Sequence, residues 1–135
     1  MKKCIASMLM GMLLVSCAFT AVASSVFDAG RLINVVSRED GSGTRGAFIE
    51  LFGVEVKNDD GTRTDLTTEE AIIVNKTDVM LATIGSDPYA IGYVSLGSLQ
   101  DTVRALAVDG AAASTENVKN GTYPVVRPFN IATKG

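Results

Sequence analysis

The sequence contains no histidine and no tryptophan, and only two of its 135 residues are cysteine. Without histidine, the most frequent general base and one of the commonest zinc ligands are missing, which excludes histidine-based catalysis. Cys4 and Cys17 both lie in the apolar N-terminal stretch, which we interpret below as an export signal. We therefore expect a domain without a disulfide, metal or cofactor, stabilised by packing alone.

Basic residues are outnumbered: 12 Lys and Arg stand against 15 Asp and Glu, for a formal net charge of -3. Lys2 and Lys3 belong to the predicted signal, and without them 10 basic residues face 15 acidic ones, a net charge of -5. Nucleic acids and anionic membranes favour basic surfaces. The composition therefore predicts no nucleic-acid partner, and an anion would have to be bound by local geometry rather than by overall charge.

Residues 1–23 are typical of a secretory signal peptide, with a positive start at Met1-Lys2-Lys3 and an apolar run over residues 5–15. Two cleavage signals compete. Leu14-Val15-Ser16-Cys17 resembles a lipobox, in which Cys17 would be lipidated, and Ala21-Val22-Ala23 is an A-x-A signal.

The apolar residues 18–23 weigh against lipidation, because the tether of a lipoprotein is usually polar. An uncleaved membrane span is a less favoured third alternative. All three alternatives place the domain outside the cytoplasm, in the periplasm or at the cell surface.

Residues 24–135 alternate between β-branched runs and helical apolar spacing, which indicates an α/β sheet flanked by helices. A capping box, Thr67-x-x-Glu70, predicts a helix start, Asp87-Pro88 predicts a turn, and Gly92 predicts a bulge or a close backbone approach. Strands are predicted at residues 33–36, 90–96 and 103–108; helices at 44–52, 67–84 with a break at 75–76, and 114–119; a surface loop at 56–65; and an extended segment at 123–132.

The segment from residue 37 to 46 combines the end of a strand, a pair of glycines and the start of a helix. The first N–H groups of a helix lack intrahelical acceptors, so an oxyanion placed there receives several donors. Gly41 and Gly43 allow a tight turn and a close backbone approach, and an arginine offers a planar fork for two oxygens. We predict that the anion is bound by Arg38, Ser42, Gly43 and Thr44, with Asp40 and Gly41 in support.

Each of these residues also has a simpler interpretation. A Gly-Ser-Gly string is often only a connecting turn, and Ser42 or Thr44 would then cap the helix. Arg38 would form a solvated surface pair with Glu39 or Asp40. Arg45 is assigned to the surface.

Residues 33–52, Ile-Asn-Val-Val-Ser-Arg-Glu-Asp-Gly-Ser-Gly-Thr-Arg-Gly-Ala-Phe-Ile-Glu-Leu-Phe, resemble the signature of the phosphate-binding proteins of ABC importers. Residues 90–97 and 123–129 resemble the same family in the same order. The resemblance implies one lobe of a two-lobed, type II periplasmic-binding-protein-like fold with a mixed sheet. It also implies phosphate contacts from Arg38, Ser42, Gly43 and Thr44, with Asp40 paired to Arg38.

The resemblance further implies inorganic phosphate and the importer's membrane subunits as partners, with no covalent chemistry. Only residues 24–32 separate the predicted signal from the matching string, where the family has a whole first lobe, and the family's C-terminal helix is also missing. The alternative is a truncated or remnant chain that needs a second chain to supply the other lobe. An enzyme using Ser42 as nucleophile is disfavoured, because no histidine is present to act as its base.

Overall fold

In a computed structural model of the chain, residues 27–128 and 131–134 are described, and the predicted signal peptide with both cysteines lies outside them. Within these ranges, no helix has the length and apolar character needed to span a bilayer. The strands are β1 (Asn34–Arg38), β2 (Glu55–Lys57), β3 (Arg63–Asp65), β4 (Ile72–Val74) and β5 (Ala90–Ile91); the helices are α1 (Gly43–Leu51), α2 (Thr77–Ser86) and α3 (Thr115–Lys119), with a 3-10 turn at Leu96–Ser98.

The main sheet has three parallel strands in the order β4-β1-β5, and β2 and β3 form a separate antiparallel hairpin. Parallel and antiparallel pairing therefore both occur, in two sheets, and the predicted α/β class is confirmed. Arg38 at the end of β1 is in register with Val74 at the end of β4. Because parallel strands end at the same edge, the loops into α1 and α2 start side by side.

The core lies where α2 packs on this sheet. Val36, Val74 and Met80 are its buried centre. Gly92 is forced by this packing: a Cβ there would lie 2.7 Å from Met80 Sδ and 3.0 Å from the Val36 carbonyl oxygen. The close backbone approach predicted for Gly92 is confirmed.

The prediction that a helix begins at the capping box Thr67-x-x-Glu70 is wrong. The Thr67 N–H and hydroxyl donate to Asp65 Oδ1, at 2.8 and 2.6 Å, instead of capping a helix. The apolar run that follows is β4, because its β-branched residues pair with β1. The helix begins only at Thr77, after the break predicted at residues 75–76.

Three other assignments also differ from prediction. The strand predicted at residues 90–96 is limited to Ala90–Ile91. The loop predicted at residues 56–65 contains the β2–β3 hairpin. The strand predicted at 103–108 is absent from the described residues, where this region contributes one isolated bridge between Val108 and Ala111. Asp109 and Gly110 have φ of 51° and 79°, so the chain reverses directly there and cannot continue as a strand. Helices α1 and α3 lie where they were predicted.

Candidate functional site

The candidate site is built on the turn between β1 and α1. The Ser42 N–H donates to the Glu39 carbonyl oxygen at 3.2 Å, and Gly41 adopts a φ of 83°, which favours glycine. Ser42 is the N-cap of α1, and its Oγ accepts the Arg45 N–H at 3.4 Å. The capping role predicted as the simpler interpretation is therefore present. It does not use the hydroxyl proton, which Ser42 still has to donate.

The start of α1 presents two free donors. Neither the Gly43 N–H nor the Thr44 N–H has an acceptor among the described residues. A Cβ built on Gly43 would meet no atom within 4 Å, so open space lies above this end of the helix. Unpaired N–H groups and the positive end of the helix dipole together favour an anion.

Arg38 projects from the end of β1, with its side chain 14% exposed. Its Nε and Nη2 donate to the two Glu39 carboxylate oxygens at 2.8 and 3.0 Å. Nη1 lies 3.4 Å from the hydroxyl of Thr77, at the start of α2. The hydrogen bond and charge of Glu39 raise the pKa of Arg38, and the guanidinium lowers the pKa of Glu39 in return. Arg38 is therefore held in place as a cation beside the turn.

The predicted pairing of Asp40 with Arg38 is wrong. Asp40 is 96% exposed and its Oδ1 accepts from Arg45 Nη1 at 2.6 Å. The neighbouring Glu39 takes the place at Arg38, because it can reach both Nε and Nη2 of the guanidinium at once.

Arg45 was assigned to the surface, and this is also wrong, since its side chain is only 16% exposed. Its Nε and Nη2 donate to Asp65 Oδ2 at 3.1 and 2.7 Å, and Nη1 also donates to the Arg38 carbonyl oxygen at 3.0 Å. The hydrogen bonds that Arg45 donates to Asp65 raise the pKa of Arg45 despite the burial that opposes it. Burial raises the pKa of Asp65, but hydrogen bonds from Thr67 and Arg45 outweigh it and leave that pKa lowered.

The Tyr93 side chain is hydrogen-bonded to the end of β1. Its hydroxyl forms a hydrogen bond with Ser37 Oγ at 2.8 Å and accepts the Arg38 N–H at 3.0 Å. Its ring stacks on Phe48 of α1, with centroids 4.1 Å apart. Tyr93 thus joins the strand, the helix and the segment after β5 at the base of the site.

Sequence reasoning did not place several neighbouring residues in the site, although the family-like strings at residues 33–52, 90–97 and 123–129 contain four of them. Arg127 also approaches, with Nη1 3.4 Å from the Gly43 carbonyl oxygen, longer than an ordinary hydrogen bond. The structure brings Arg38, Ser42, Gly43 and Thr44 to one turn as predicted. The neighbours that were not assigned to the site are Glu39, Arg45, Asp65, Thr77, Tyr93 and Arg127, of which Glu39 had been named only as an alternative surface partner of Arg38.

The site has the composition of an anion site rather than a metal site. In residues 27–128 and 131–134, no group of three carboxylate, cysteine or histidine side chains comes close enough to hold a metal ion. The donors at the turn are N–H groups, hydroxyls and guanidinium groups. Donors of these kinds suit oxyanions.

A parallel α/β sheet with unpaired N–H groups at a helix N-terminus is typical of the lobe of a solute-binding protein. A family model described as the PBP superfamily domain matches residues 21–135. The chain belongs to this family.

The relatives have more specific names. A phosphate-binding protein, PstS 2, of Streptococcus agalactiae is 57% identical over 102 residues, covering 76% of this chain and 35% of the relative. A crystal structure of a phosphate-binding protein of a phosphate ABC transporter from Streptococcus pneumoniae has a TM-score of 0.67 at 47% identity, over 70% of this chain and 36% of that one.

A putative phosphate ABC transporter substrate-binding protein from Clostridium perfringens, solved with bound phosphate, has a TM-score of 0.57 at 38% identity over 67% of this chain and 34% of that chain. The resemblance to the phosphate-binding proteins of ABC importers is confirmed. The chain spans about a third of the length of these relatives.

Proposed function

We propose that this chain binds inorganic phosphate as part of the solute-binding component of an ABC importer. The observation that carries the proposal is the pair of unpaired N–H groups, on Gly43 and Thr44, beneath the open space at the start of α1. The hydroxyls of Ser42 and Thr44 add donors beside them. The binding is reversible, and no covalent step is involved.

Arg38 supplies the charge in this proposal. A guanidinium carries five N–H donors, and Glu39 occupies one on Nε and one on Nη2. Nη1 and Nη2 therefore each keep a hydrogen for the oxygens of a tetrahedral anion. The bound Glu39 also prevents the arginine from rotating away, so less freedom is lost when phosphate binds.

The parts of the chain take the following roles in this proposal. Residues 1–23 form the export signal, with Cys17 as the lipidation candidate if the lipobox is used. Residues 24–135 form the phosphate-binding lobe, located in the periplasm or at the cell surface. The membrane subunits of the importer are partners of the whole protein.

The test is calorimetric titration of the full chain with phosphate and with sulfate, repeated on Arg38→Ala. Arg63→Ala is the matched control, because Arg63 also pairs with a carboxylate, Glu55, but is 59% exposed in the hairpin. We expect saturable phosphate binding that is lost in Arg38→Ala and kept in Arg63→Ala. Equal affinity of wild type and Arg38→Ala would overturn the assignment of the site.

The alternative, a remnant that needs a partner lobe, gives a different result in the same titration. Weak and equal heats with phosphate and sulfate would favour it, because one lobe holds the anion on one side only. The alignment covers only 35% of the S. agalactiae protein, and this observation supports the alternative.

A further inference from the structure

Arg45 lies in the first turn of α1, and four of its five N–H donors are used within the protein. Nε and Nη2 are bonded to Asp65, and Nη1 reaches both Asp40 and the Arg38 carbonyl oxygen. All three of its nitrogen atoms are thus engaged within the protein. Arg45 is therefore placed to hold the turn rather than to bind an anion.

These contacts fix the turn at three points. The Arg38 carbonyl oxygen is the end of β1, Asp40 is the middle of the turn, and the Arg45 N–H reaches the cap at Ser42 Oγ. One residue thus sets the path of the backbone that precedes the donors of α1.

The anchor for this arrangement is Asp65, 20 residues away at the end of the hairpin. Its Oδ1 accepts hydrogen bonds from the N–H and hydroxyl of Thr67, which orient the carboxylate. Its Oδ2 accepts from Arg45. Among the described residues, the hydrogen bonds and ion pair that Asp65 forms toward the turn all go to Arg45.

We propose that Arg45 is a positioning residue for the anion-binding turn, and that Asp65 of the β2–β3 hairpin sets phosphate affinity through it. The proposal rests on the proposed function, because phosphate is the anion whose affinity is measured. Several donors that bind one oxyanion must be placed accurately. In enzymes, a displacement of about 1 Å can lower the reaction rate as much as 100-fold.

The experiment compares phosphate affinity in the full chain for wild type, Arg45→Lys, Asp65→Asn and the double variant. Arg45→Lys keeps the charge near α1 but cannot bridge Asp65, Asp40 and the Arg38 carbonyl oxygen together. We expect each single variant to weaken binding about tenfold, and the double variant hardly further, because both changes break the same link.

The matched controls are Arg63→Lys and Glu55→Gln, which alter an ion pair in the same hairpin that does not contact the turn. We expect less than about a twofold change in affinity for both, in keeping with an exposed pair. Unchanged affinity in Arg45→Lys would show that charge alone matters and would overturn the proposal. So would additive losses in the double variant, or equal losses in the controls.

A second readout needs no phosphate. Amide exchange at Ser42, whose N–H closes the turn on the Glu39 carbonyl oxygen, is measured against Ala90, whose N–H is bonded to Asp87 in a distant turn. Faster exchange at Ser42 but not at Ala90, in Arg45→Lys and Asp65→Asn, supports the positioning role. Equal exchange in wild type and variants overturns it.

This readout separates the two hypotheses. If wild type binds no phosphate, the proposed function fails, while the exchange result still decides whether Arg45 positions the turn. Should Asp65→Asn fail to fold, Thr67→Val removes one of the two hydrogen bonds that orient Asp65, the one from the hydroxyl, while leaving every charge in place. We expect it to weaken phosphate binding less than Asp65→Asn does, and no change in either readout would count against the proposal.

Discussion

The turn before α1 and the turn of the β2–β3 hairpin use the same Asp-Gly pair, and Gly41 and Gly61 have nearly equal φ values of 83° and 84°. In the hairpin, Asp60 Oδ1 accepts both the N–H and the hydroxyl of Thr62, at 2.9 and 2.6 Å. The Thr62 carbonyl oxygen then accepts from Asn58. The polar groups of the hairpin turn are thus bonded to one another.

The turn before α1 leads into a helix instead of a strand. A strand pairs its N–H groups with its neighbour, whereas a helix leaves its first N–H groups unpaired. The donors on Gly43 and Thr44 are therefore available to a ligand. The two turns teach that the element after an Asp-Gly turn decides whether backbone donors are left unpaired for a ligand.

The largest expected effect comes from placing a carboxylate at the opening of the first turn. Gly43→Asp should weaken phosphate binding at least about 100-fold, because like charges in contact cost several kcal/mol. The stability of the fold should stay equal or rise slightly, because a negative charge in the first helical turn interacts favourably with the helix dipole. Phosphate titration and thermal unfolding measure the two effects.

The control for this variant is Gly97→Asp, which adds the same charge at a glycine that also has no atom within 4 Å of its Cβ position. It should leave affinity nearly unchanged. A similar loss in both variants would mean that net charge, not the opening at α1, controls binding.

The next expected effect tests whether the two turns differ in function although their glycines have nearly equal φ. Gly41→Ala and Gly61→Ala should each destabilise the fold by about 1–2 kcal/mol, the cost of a left-handed conformation for a residue with a Cβ. Only Gly41→Ala should also weaken phosphate binding, by about 30-fold, because it displaces Ser42 and the donors beyond it. Equal affinity losses would contradict the distinction between the turns.

A smaller effect compares two helix caps. Ser42 Oγ accepts the Arg45 N–H and Ser114 Oγ accepts the Asn117 N–H, at 3.4 and 3.1 Å. Replacing either serine by alanine should cost about 1 kcal/mol of stability. Ser42→Ala should in addition weaken phosphate binding about tenfold, because its hydroxyl donates to a charged oxygen. Full affinity in Ser42→Ala would leave the serine with a capping role alone.

The smallest expected effect is a change in how the stability of the fold declines at acidic pH. The folded-state pKa of Asp65 is lowered, so its contribution to stability is present above the unfolded pKa of about 3.9 and is lost as pH falls through the folded value. Asp65→Asn should therefore be less stable at neutral pH but show a shallower decline in thermal midpoint below about pH 4. Asp60→Asn should change the slope less, because that exposed carboxylate is screened by water. An unchanged slope in Asp65→Asn would contradict this prediction.

Much of the fold could be predicted from short stretches of sequence. The strand before the turn, helices α1 and α3 and the reversal at Asp87 all depend on neighbouring residues or on backbone sterics. The need for glycine at residue 92 arises instead from packing against Met80 and Val36. Strand β4 could not be predicted this way, since its local capping signal at Thr67 is overridden by pairing with β1, which lies more than 30 residues away. The residues 56–65 were likewise taken as a loop because two three-residue strands have too little pattern to detect.

By itself, the sequence determined the turn and the start of the helix, because glycine, serine and the apolar spacing of α1 act within a few residues. Only the tertiary structure decided how the charges pair. Glu39 rather than Asp40 holds Arg38, and Arg45 is buried against Asp65. An ion pair depends on which atoms lie within a few ångström once the chain has folded, and a hairpin 20 residues further along contributes the carboxylate that decides it.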